Sequence, residues 1–79
     1  MDQDRIAAAM DQAWRQLTDA PHAGAGAIIT AVIYDRPTAP DAHGFVAIGE
    51  LREPARERIG VVLLHPATGS IRLTWAAAA

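Results

Sequence analysis

The chain has 79 residues, 51% hydrophobic and 20% charged, with a net charge of -2 and arginine as its only strong base. That is a globular composition, close to the smallest size at which one core sustains a fold unaided, and it lacks the basic surface that nucleic-acid binding requires. Lysine, asparagine and cysteine are absent and Ser70 is the sole serine, so thiolate chemistry, disulfides, cysteine metal sites and lysine Schiff bases are excluded, and the codon bias fits a high-GC bacterium or its phage.

The first element expected is a helix over about 3–18. Ile6, Ala9, Met10, Ala13, Trp14 and Leu17 recur at spacings of three and four, while Arg5, Asp11, Gln12, Arg15 and Gln16 fall largely on the other side. Asp2 or Asp4 can accept hydrogen bonds from the first free amides of such a helix, and Pro21 marks its end. An acidic start and no apolar run near eighteen residues suggest a cytoplasmic protein without membrane contact.

Beyond the small-residue stretch 22–26, whose Gly24 and Gly26 precede a strand and so are no dinucleotide fingerprint, four runs rich in Ile, Val and aromatic residues are expected as strands: 27–35, 44–51, 58–65 and 70–75. Short connections make neighbours antiparallel, so the fold class expected is α+β: one domain over 1–79 with an N-terminal helix on one face of a four-stranded antiparallel meander. Pro66 fits the first corner of the last turn, and Gly69 supplies the positive φ that returns the chain to the ladder. The connection 36–43, with prolines at 37 and 40, is long for a hairpin and reads as a binding element or an insertion.

Strand patterning carries the functional expectation. The last strand alternates cleanly, Ile71, Leu73 and Trp75 against Ser70, Arg72 and Thr74, whereas the middle strands are apolar on both faces. One helix covers one face, which leaves either a partner chain or a sheet curled over itself to cover the other. A non-enzymatic interaction or assembly module is therefore expected, acting through an apolar sheet face or an edge strand. Its partner is another protein or a second copy, not nucleic acid or membrane, and Val46, Ile48, Val62 and Leu64 are the candidate interface residues.

The alternative is a small ligand-binding or catalytic domain built on Asp41, His43, His65 and Ser70, which the meander brings to one end together with Asp35 and Thr68. His22 belongs at the opposite end, about 25 Å away, so no three-histidine metal site and no cofactor are expected. Arg52, Arg56 and Arg58, interleaved with Glu50, Glu53 and Glu57, read as a solvated hairpin loop or an interaction edge.

Overall fold

The computed structural model describes residues 2–18 and 28–77; the stretch 22–26, Pro21 and His22 lie outside them. One helix, α1 (Gln3–Thr18), precedes four strands, β1 (Thr30–Ile33), β2 (Val46–Glu53), β3 (Arg58–Leu64) and β4 (Ile71–Ala77). The strands lie in the order β1-β2-β3-β4, every neighbouring pair antiparallel, so the sheet is a meander with the helix on one side. Asp2 caps α1: its Oδ1 accepts from Asp4 N at 3.0 Å and its carbonyl from Ile6 N at 3.1 Å.

Ile6, Ala9, Met10, Ala13 and Leu17 form the buried stripe of the helix. Trp14, expected within that stripe, sits at its margin and is 41% exposed. Beneath the stripe lie Val46, Ile48, Leu51, Val62 and Leu64, all 4% exposed or less, with Ile29, Ile71, Leu73 and Trp75 packed around them.

Cross-strand partners share a face, so the register sorts the sheet. Val46, Leu64 and Ile71 stand together toward the helix, as do Ile33, Gly49, Val62 and Leu73, and then Leu51, Gly60 and Trp75. Turned away are Ala47, Leu63 and Arg72; Val32, Glu50, Val61 and Thr74; and Thr30, Arg52, Ile59 and Ala76. A register shift between Ala47 and Gly49 makes Ile48 an extra residue opposite β3. It moves Leu51 onto the face of Val46, where strict alternation from the sequence had put it with Phe45 and Ala47.

This sorting corrects the candidate interface. Val46, Ile48, Val62 and Leu64 belong to the chain's own helix–sheet core, and no partner can reach them without displacing α1. The apolar residues on the far side are instead Val32, Ile59, Val61 and Leu63. The first strand is also shorter than expected, and the second and fourth each run two residues further.

Candidate functional site

The end of the sheet that carries Asp41, His43, His65 and Ser70 is built by two turns. In the first, the carboxylate Oδ1 of Asp41 accepts from His43 N at 2.8 Å and Phe45 N at 3.0 Å, while its own N–H donates to Phe45 O at 2.8 Å. An aspartate placed so closes the turn through its side chain. Gly44 completes it with φ +86°, and a Cβ there would lie 2.7 Å from His65 Nε2, so both backbone angle and space call for glycine. The loop before this turn is pinned along the start of β2: Thr38 N donates to Ala47 O at 3.0 Å, and Ala47 N donates to Thr38 Oγ1 at 2.9 Å. The long connection is thus a fixed border of the sheet.

In the second turn, His65 N donates to Ser70 O at 2.9 Å and Gly69 N to His65 O at 2.8 Å, with Gly69 at φ +78° as its place after the turn demands. His65 Nδ1 accepts from Thr68 N at 3.3 Å, and Thr68 Oγ1 and Ser70 Oγ are 3.0 Å apart in a hydrogen bond. The imidazole meets the Phe45 ring edge to face at 5.3 Å, and Arg72 lies over the same ring at 4.4 Å.

Of the four candidate ligand-binding residues, Asp41 and His65 therefore join through Phe45 and Gly44, and Ser70 is held by Thr68. His43 points its side chain into solvent. Each polar group except the His43 ring has a local structural partner. Among the described residues, no group of three His, Cys, Asp or Glu side chains is arranged to hold a metal ion.

The two hydrogen bonds, that from Phe45 first and that from His43 second, hold the Asp41 carboxyl below its ordinary 3.8. The folded state then favours the carboxylate. Its contribution is present above the unfolded value and is lost as pH falls through the lower folded value. Stability is accordingly expected to decline below about pH 4, and Asp41→Ala should be less stable at neutral pH with a flatter acid profile. Urea midpoints measured across the acid range check this; parallel profiles for the two proteins would contradict it.

No protein-family model matches the chain, and no curated protein or solved structure does so either.

At the other end, a cluster that looked solvated in sequence is partly buried. Glu53 is 6% exposed; Arg58 reaches it through Nη2 at 3.2 Å and Nε at 3.3 Å, and Arg56 Nε lies 3.5 Å from its Oε2. Arg58 also covers the Trp75 ring at 3.8 Å, and that ring sits against Gly60. The register after Ile48 puts Glu53 on the face of Leu51, and the short 3₁₀ turn Pro54–Arg56, closed by Glu57 N donating to Pro54 O at 3.1 Å, carries Arg56 back to it, a placement that alternating charge does not reveal. A shallow cavity of about 260 Å³ opens beside it, lined by Arg52, Glu53, Pro54, Arg58 and Ile59.

On the side of the sheet away from α1, Tyr34 Oη donates to Glu50 Oε2 at 3.2 Å, and the Arg52 guanidinium holds the other carboxylate oxygen. Burial first, and the Glu50 charge second, raise the Tyr34 hydroxyl above its ordinary 10.0. This polar ladder shields part of the far side. Between it and the Phe45–Arg72 pair, Val61 and Leu63 of β3, on the side away from α1, remain half-buried.

Proposed function

We propose that this chain is a non-enzymatic assembly module that associates with a second copy of itself through sheet surfaces its single helix leaves uncovered. One observation carries the reading: α1 packs on one side only, while Val32, Ile59, Val61 and Leu63 stand on the other and β4 ends the sheet with no neighbour among the described residues. A domain this small buries a smaller fraction of its surface than a larger one, so covering these surfaces adds appreciably to its stability. The rim of the far side carries both signs, Glu50 beside Arg52 and Arg72, which suits a protein surface of like composition better than a phosphate backbone. No helix among the described residues is long and apolar enough to cross a membrane.

The histidine end supports the ligand-binding alternative less well, because Asp41, His65, Thr68 and Ser70 already serve the turns that close the sheet. Association linked to folding makes stability depend on concentration. The urea midpoint is therefore expected to rise with chain concentration and to be unaffected when His43 and His65 are both replaced by glutamine beyond a constant offset. A midpoint independent of concentration would contradict self-association.

A further inference from the structure

The two edges of the sheet are treated differently. β1 is four residues long and runs into a border holding Pro37 and Pro40, features that discourage another strand from pairing there. β4 is seven residues long, unbulged against β3, free of proline, and carries one charge, Arg72, whose side chain is turned onto Phe45. No strand among the described residues pairs with its outer side.

The phase of its free backbone groups can be read. His65 N donating to Ser70 O makes that a hydrogen-bonded pair, and antiparallel pairs alternate. Arg72, Thr74 and Ala76 then spend their backbone groups on β3, while Ile71, Leu73, Trp75 and Ala77 direct N–H and C=O outward.

Resting on the self-association reading above, we propose that β4 is the site: two copies pair antiparallel along β4 about a two-fold axis at Thr74, joining two sheets of four strands into one of eight. The strand is complementary to itself in this register. Ile71 meets Ala77 of the second copy and Leu73 meets its Trp75, each pair exchanging outward backbone hydrogen bonds, and all seven residues find partners. On the helix side, Leu73 and Trp75 gain an apolar neighbour apiece. On the far side, Thr74 faces Thr74, a favourable cross-strand pair, and each Arg72 faces an alanine, so no like charges oppose. Pairing consumes the unprotected edge of both copies, and the edges left are the two short β1 strands, so edge-to-edge growth stops at the dimer.

The geometry is open to a direct test, because the chain has no native cysteine. At the two-fold position, Thr74 is a non-hydrogen-bonded pair with Cα atoms about 4.5 Å apart, within the range a disulfide spans. Val61 sits one strand further in, so in the proposed dimer two copies of it are three strand spacings apart, about 14 Å. Thr74→Cys is expected to cross-link nearly completely under mild oxidation, with Val61→Cys remaining uncross-linked; both side chains lie on the uncovered side, and a cooperative urea transition confirms each variant is folded. Cross-linking of Val61→Cys and not Thr74→Cys would overturn edge pairing while leaving self-association through the sheet face. Failure of both in a protein that sediments as a single chain would overturn edge pairing and the self-association reading together.

Discussion

Gly49→Ala is expected to unfold the protein or nearly so. Gly49 lies in β2 beneath the helix, and a Cβ there would fall 2.8 Å from Met10 Sδ and 2.9 Å from its Cε, and closer still to the carbonyl oxygen of Val32. The methionine can swing aside, but the carbonyl is backbone of β1, paired with β2 in register at this point, and moves only if that pairing opens. Overpacking of this kind costs about 1–3 kcal/mol where side chains can adjust and more where they cannot. A domain of this size has only about 5 kcal/mol to lose. Gly69→Ala makes the useful comparison, since a Cβ there meets nothing within 4 Å and only the positive φ opposes it. Urea melts should place Gly49→Ala far below Gly69→Ala; equal midpoints would mean that the helix and β1 do not close over β2 in this way.

Val62→Glu and Val61→Glu, one residue apart, should behave oppositely. Val62 is 0% exposed in the core under α1, so a carboxylate there is buried without a counter-ion, and the chain is expected to be unfolded or insoluble. Val61 points to the other side, half-buried, and its glutamate can reach water, though it stands across from Glu50; this variant should still fold, with a loss of about 1–2 kcal/mol. Circular dichroism and a urea melt of each decide it. Two folded variants, or two unfolded ones, would show that the helix does not lie on the face assigned to it.

That pair of residues also marks how far the sequence can be read. Alternation in β3 separates Val62 and Leu64 from Ile59, Val61 and Leu63, and the meander follows from connections too short for crossovers. Alternation alone does not say which set the helix covers when both are apolar. The helix settles it by burying Val62 and Leu64, and the candidate interface moves to the opposite side accordingly. In β2, the extra residue Ile48 shifts the period, so Leu51 changes face; a bulge has no signature in a run of apolar residues. Glu53 shows the same limit for charge. Its spacing from Arg56 and Arg58 is visible in sequence, but its inward face follows from the same shift at Ile48 that moves Leu51. At the histidine end, the sequence brings Asp41, His65 and Ser70 to one end correctly and says nothing of their side-chain bonds, which go to turn amides and to Thr68. β4 was legible as a strand, while which of its backbone groups face outward needed the hydrogen-bond phase.

A self-assembling module declares itself in its molar mass in solution. Size-exclusion chromatography with light scattering, run across a wide range of loading concentrations, is expected to give twice the 8.4 kDa mass of one chain, falling toward a single chain only on strong dilution. A mass of one chain at every concentration would contradict the account.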